Sequence, residues 1–167
     1  AGDGHVVTGG SLDVLKLWRG DELVRTIQAH RDDINAVAVL PGNARFVTGS
    51  GMVNDGDVKL FTFGGELERT LEVGSVVQCV ATLPDGVHFV VGLGLGPNCG
   101  EVRLYHVNGT LVHTFRGRGQ VKAVAVTRDG QRILSASGFL VKAWSVATKS
   151  LVSTCAGHTR DVMAVAA

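Results

Sequence analysis

The chain repeats itself about every forty-three residues, and no other feature restricts its fold so severely. The strings INAVAVLPG, VQCVATLPDG, VKAVAVTRDG and VMAVAA share one alternation of small and large side chains. Their equivalent valines, Val37, Val80, Val124 and Val165, are separated by 43, 44 and 41 residues. A second series, VLKLW, DVKLF, EVRLY and LVKAW, ends on Trp18, Phe61, Tyr105 and Trp144, separated by 43, 44 and 39 residues. Two independent markers agree on one period, so the chain is a tandem array.

Each unit reads as four strands. An alternating Ala/Val strand closes in a turn written PGN, PDG or RDG. A second strand follows (RFVTGS, VHFVVGL, QRILSAS), then the strand that carries the aromatic, then a fourth (ELERTLE, TLVHTFR, SLVSTCA). Short β-branched runs joined by Gly, Asp and Asn are the pattern of antiparallel sheet. No stretch sustains a 3.6-residue period. The 23 glycines, against 3 prolines and no collagen repeat, supply the many tight turns such a chain needs. Four strands in a period in the low forties predict the blade of a β-propeller, an all-β fold.

The blocks resemble WD repeats across essentially the whole chain. The best match is AHRDDINAVAVLPGNARFVTGSGMVNDGDVKLF, with His30 at the family's Gly-His position and Asp55-Gly56 in the turn before the third strand; Gly157-His158 is a literal Gly-His. The terminal Trp-Asp pair is Trp18-Arg19, Phe61-Thr62, Tyr105-His106 and Trp144-Ser145, so no repeat keeps its Asp. The resemblance implies a buried His, Ser/Thr, Asp and Trp chain within a blade, useful only when fully satisfied. Its candidates in the second unit are His30, Thr48 or Ser50, Asp55 and Phe61. The third unit has Cys99 and the fourth Gly138 where Asp is expected. Only the unit made by joining the two ends offers all four types, His158, Thr8, Asp13 and Trp18. Weak or partial networks are expected, with apolar packing between blades supplying most of the stability.

The repeats divide residues 1–167 into one module of four units: 157–167 joined to 1–28, then 29–73, 74–117 and 118–156. The split unit requires Met163 to Ala166 to pair beside His5 to Gly9, or two strand edges stay open. One chain could close as a four-bladed ring, two chains as an eight-bladed homodimer, or a longer parent chain could supply missing blades. WD-type blades resemble those of larger rings, which disfavours the lone four-bladed ring. The start at Ala1 tips the balance slightly towards a longer parent, with the natural N-terminus processed or outside this sequence.

Catalytic readings are poorly supported. GLGLGPNCG is followed by a strand rather than by the helix a phosphate-binding loop requires, so it is a long turn. The six histidines show no metal-ligand spacing. There is no nucleophile elbow and no recurring carboxylate pair. An enzyme using the propeller channel is the weakest reading. A net charge of +1 and the short basic run FRGRGQVK, without stacking aromatics, give little support for nucleic acid. No cofactor, metal or membrane partner is implied. Three widely spaced cysteines point to reduced thiols in a cytoplasmic or nuclear setting.

The positive functional signal is variation on a constant frame. Asn35, Gln78, Lys122 and Met163 occupy one position in the four first strands, while their neighbours stay Ala or Val apart from Cys79. In the propellers this chain resembles, that position lies near the channel rim on the face used for partner peptides. The same face would carry Arg31, Asp32, Ser50, Met52, Ser75, Leu93, Arg118, Phe139 and Arg160. Phe139 and Met52 are candidate apolar anchors, and Arg31 and Arg160 candidate charged ones. The expected function is a non-catalytic protein-protein interaction scaffold. The alternative is a half-propeller that assembles chiefly with itself.

Overall fold

The computed structural model describes residues 4–11, 13–42, 45–52, 55–96 and 98–167, the side chain of Asp55 excepted. Among them there is no helix, and so none long and apolar enough to cross a membrane. The strands are β1 (His5–Gly9), β2 (Val14–Arg19), β3 (Glu22–Gln28), β4 (Ile34–Val39), β5 (Arg45–Met52), β6 (Asp55–Thr62), β7 (Leu67–Glu72), β8 (Val77–Thr82), β9 (His88–Leu93), β10 (Glu101–His106), β11 (Leu111–Arg116), β12 (Val121–Val126), β13 (Arg132–Ser137), β14 (Leu140–Ser145) and β15 (Leu151–Ala156). They form a three-stranded sheet, β1-β2-β3, and three four-stranded sheets, β4 to β7, β8 to β11 and β12 to β15. Every ladder is antiparallel. These are the blades of a β-propeller.

Local chemistry sets the turns. Gly42, Gly86 and Gly130 close the first hairpin of the three complete blades at φ of 67°, 70° and 70°. An L side chain is disfavoured there, which is why each first strand ends in PG or DG. Asp85 and Asp129 reinforce two of these turns, their carboxylates accepting from the backbone N–H groups of Val87 and Gln131.

Strand alternation then builds the core between blades. In β5, Phe46 turns towards the first blade, joining Leu15, Leu17, Ile34 and Phe61, while the adjacent Val47 joins Phe89, Leu93 and Tyr105 of the third blade. In β9, Phe89 faces back and Val90 faces forward, into Phe115, Ile133 and Trp144. A two-residue period puts successive side chains on opposite sheet faces, so each central strand serves two interfaces. Each buried Leu, Val or Phe contributes about 1.5–3 kcal/mol.

A glycine in the second strand lets the blades approach. An ideal Cβ on Gly9, Gly49 or Gly92 would lie 2.5, 2.3 or 2.6 Å from a methyl group of Ile34, Val77 or Val121, the first residue of the next blade. Directly after each of these valine or isoleucine residues the innermost strand bulges, between Ile34 and Ala36, Val77 and Cys79, and Val121 and Ala123. The residue left out of register is Asn35, Gln78 or Lys122. A bulge re-aims its extra side chain, which is why these three positions vary while their neighbours do not.

Among the described residues the first sheet has three strands. β1 forms a ladder with β2 alone, and no ladder among the described residues includes 157–167. That segment instead runs along the fourth blade, where Val162 is 9% exposed and donates its backbone N–H to Gly138 O at 2.7 Å. Ile34 donates to Gly10 O of the first blade in the same manner, at 3.2 Å. Residues 162–166 therefore lie beside the fourth blade, and among the described residues no ladder joins Met163 to Ala166 with β1.

Candidate functional site

The ladders place the linker between blades and the turn between second and third strands at one end of each sheet: Ile34 pairs with Ser50, and Asp57 with Glu72. At that end of the second blade, Asp13, Arg31, Asp32, Asp33, Asn35, Gly51 and Met52 line an open cavity of about 450 Å³. A smaller cavity of about 140 Å³ adjoins it, and Asp57, Lys59, Thr70 and Glu72 complete its wall. Of the candidate partner-binding residues the structure thus gathers Arg31, Asn35 and Met52 around one concavity. Met52 is 65% exposed, an apolar side chain held in water at the rim.

The remaining candidates are spread along the face. Gln78 folds over Gly94, with its Cγ 2.4 Å from the position a Cβ there would take. Lys122 is half-buried and donates to Gln120 Oε1. Phe139, 55% exposed, and Met163, 66% exposed, belong with exposed Arg160 to the fourth blade and the segment beyond it. Ser50, Ser75 and Leu93 are buried, although Ser50 lines the smaller cavity. Ser50 donates to the Asp32 and Asp33 carbonyls, Ser75 Oγ accepts from the Asn98 N–H at 3.0 Å, and Leu93 is fully buried in the core.

The polar network departs from the expected residues. His30, 5% exposed, is bonded through Nδ1 to the carboxylate of Asp57 at 2.6 Å, while Nε2 lies 2.7 Å from Thr48 Oγ1. Asp57, two residues beyond Asp55, is the partner because β6 begins at Asp55 and its Asp57 stands opposite Ser50. The side chain of Asp55 lies outside the described residues. In the split unit the four expected groups do not assemble. Trp18 Nε1 donates to Thr8 Oγ1 at 3.0 Å, Asp13 is at φ 61° and accepts from Gln28 Nε2 at 2.7 Å, and His158 is exposed. The reason is visible in the fold: His158 sits on the segment seated against the fourth blade.

A basic residue stands two places before each aromatic in VLKLW, DVKLF, EVRLY and LVKAW: Lys16, Lys59, Arg103 and Lys142. Where an acid precedes it by two residues, the cation pairs locally. Lys59 lies 3.4 Å from Asp57 and donates to Ala29 O, and Arg103 lies 2.8 Å from Glu101 and donates to Val73 O. Where that position is Val14 or Leu140, the lysine lies over the aromatic ring instead, Lys16 at 6.0 Å from Trp18 and Lys142 at 5.5 Å from Trp144. Both arrangements fasten the third strand without a complete His-Ser/Thr-Asp-Trp chain.

Burial opposes ionisation of Asp57, but the bond from His30 and the Lys59 ammonium outweigh it, and the carboxyl sits below its usual range. A depressed folded-state pKa contributes stability above the unfolded value of about 4 and loses it as pH falls through the folded one. The midpoint of urea unfolding should therefore drop more steeply below pH 4 in the native protein than in Asp57→Asn. Parallel curves would contradict the pairing.

Burial pushes the Cys79 thiol up to about 12, far from a reactive thiolate, and Cys79, Cys99 and Cys155 are all free. Among the described residues no group of three or more His, Cys, Asp or Glu side chains is placed to hold a metal ion.

Four-stranded antiparallel blades packed face to face, with a glycine and a bulge at each contact, define a β-propeller module. The family model for the WD domain, G-beta repeat, matches residues 21–62 and 109–145, and these two matches support a WD-repeat family for the chain. The matches run from β3 through β6 and from the turn before β11 through β14, so each joins the outermost strand of one blade to three strands of the next. No curated protein matches the chain. WD-repeat modules act in general as protein-interaction scaffolds.

Proposed function

We propose that this module is a non-catalytic scaffold whose linker-and-turn face receives a protein or peptide partner, centred on the cavity between the first and second blades. The observation that carries the reading is the conjunction of Arg31, bulged Asn35 and exposed Met52 around about 450 Å³ of open space. An arginine and an exposed apolar side chain on a rigid frame supply anchors with little ordering cost on binding. Asp13, Asp32 and Asp33 add three carboxylates to one wall, favouring a partner segment that carries basic side chains. The free thiols fit a reducing cytoplasmic or nuclear setting.

The test is quantitative capture of cellular partners by the native protein and by two double variants of unchanged near-UV circular dichroism. Arg31→Ala with Met52→Ala should lower recovery at least about tenfold, as loss of anchor residues does. Phe139→Ala with Arg160→Ala probes the far end of the face and should reduce it less. Unchanged recovery from the first variant would remove the cavity as the site.

A further inference from the structure

We propose that the cavity between the third and fourth blades is a carboxylate-binding subsite, which takes an acidic side chain of a peptide partner beside the Lys142 ammonium and the Arg118 guanidinium. It lies two blade contacts away from the cavity of Arg31 and Met52 and does not depend on that site.

Two residues that fill this place in the second blade are replaced in the fourth. Thr48 stands opposite Lys59 in one ladder, and Ser135 opposite Lys142 in the other. Two places before the cation, Asp57 gives way to Leu140. Four places before the first residue of the innermost strand, Ile34 or Val121, His30 gives way to Gly117. The backbone agrees with this match. His30 N–H donates to Asp13 O and Gly117 N–H to Gly100 O, each acceptor standing five places before the aromatic of the preceding blade. The fourth blade therefore has neither the imidazole nor the carboxylate.

A cavity of about 90 Å³ stands in their place. That is several times the space one water molecule needs, and enough for a carboxylate group. Gly117 keeps it open, since a Cβ there would lie 3.9 Å from Lys142 Nζ. Val121 and Leu140 form apolar walls, and Ser135 supplies a hydroxyl. Arg118 is exposed at the linker end, where Ser137 Oγ donates to its carbonyl and holds the backbone. Among the described residues no acid lines the cavity.

Its charges lack the partner that the other complete blades provide. Lys59 lies 3.4 Å from Asp57 and Arg103 2.8 Å from Glu101. Among the described residues the side chains of Lys142 and Arg118 make no ion pair or hydrogen bond, and Lys142 has only the Trp144 ring, 5.5 Å away. Ser135 Oγ accepts from Trp144 Nε1 at 2.9 Å, which leaves its own hydrogen to donate. A half-buried ammonium between apolar walls attracts an anion more strongly than one in open water. A carboxylate from outside thus does for Lys142 what Asp57 does for Lys59 from within the chain. The cavity of Arg31 and Met52 has three carboxylates on one wall, so the linker-and-turn face carries opposite charge at two cavities and orients a partner that bears both signs.

The test follows the Trp144 indole N–H signal of the nitrogen-labelled chain by nuclear magnetic resonance. The probe is glutamate between two glycines, blocked at both ends and added at fixed ionic strength, and its control is the glutamine counterpart. The glutamate peptide should shift the signal to saturation and the glutamine peptide should not; equal responses overturn the proposal. Lys142→Met should weaken binding at least about tenfold, as loss of one charged partner does. Leu140→Asp places a carboxylate two residues before Lys142, as Asp57 stands before Lys59, and should abolish the response. Binding retained at full strength by either variant, with the near-UV spectrum kept, overturns the assignment. Tighter binding of inorganic phosphate than of the glutamate peptide would assign the cavity to phosphoryl groups and overturn it as well. Arg31→Ala with Met52→Ala should leave the response unchanged, so the two cavities are tested apart.

Discussion

Phe46→Ala is expected to destabilise the module by about 3–5 kcal/mol, read as a fall in the urea unfolding midpoint with little change in slope. Phe46 is 0% exposed, and its ring centroid lies 5.4 Å from those of both Phe61 and Phe63. Its place in β5 makes it the centre of the contact between the first two blades, with Leu15, Leu17 and Ile34 around it. Truncation removes the ring's transfer free energy and leaves a void that neighbours held in paired strands cannot fill. Typical domains have about 5–15 kcal/mol in all, so much of the stability goes with one ring. Leu151→Ala is the control. Leu151 is 48% exposed on the outermost strand, β15, and its loss should change stability by no more than about 0.5 kcal/mol.

Gly49→Ala tests the opposite error, too much volume. A Cβ there would lie 2.3 Å from Val77 Cγ1 and 3.0 Å from Val77 Cβ, where the second and third blades meet. Val77 is fully buried and begins β8, whose ladder with β9 holds its backbone in place. The blades must separate or Val77 must leave its rotamer, at a cost of about 1–3 kcal/mol. The decisive form is a double-mutant cycle. Val77→Ala alone opens a void, but in the Gly49→Ala background it relieves the clash, so the double variant should lose less than the sum of the two by about 1 kcal/mol or more. Additive losses would mean that the two residues do not meet.

These two positions differ in how far the sequence discloses them. Phe46 could be read as core from the alternation of RFVTGS, because a strand with two buried faces shows a run of apolar residues. The role of Gly49 could not. Glycine in a strand signals close approach, but only the spatial neighbour says what approaches, and Val77 comes from another repeat. The variable positions Asn35, Gln78 and Lys122 were visible as departures from a constant frame, whereas the bulge that frees them is a property of the paired strands. The Asp55-Gly56 turn does not disclose Asp57 as the partner of His30, because turn lengths differ between blades. The carboxylate that reaches His30 is fixed instead by its count from the aromatic, two places before Lys59. The period left open whether the two ends of the array share a blade. It did not show that Val162 would sit against the fourth blade while β1 kept an open edge, since a repeat gives strand order and not the angle at which the arc closes.

The central claim is that a forty-odd-residue unit folds into the same ladder each time. Nuclear Overhauser contacts in solution test it directly. Backbone contacts should join Val37 to Thr48, Val80 to Val91 and Val124 to Ser135, the pairs that β4 with β5, β8 with β9 and β12 with β13 form. Their absence, or runs of sequential amide contacts marking helix in those segments, would contradict the account.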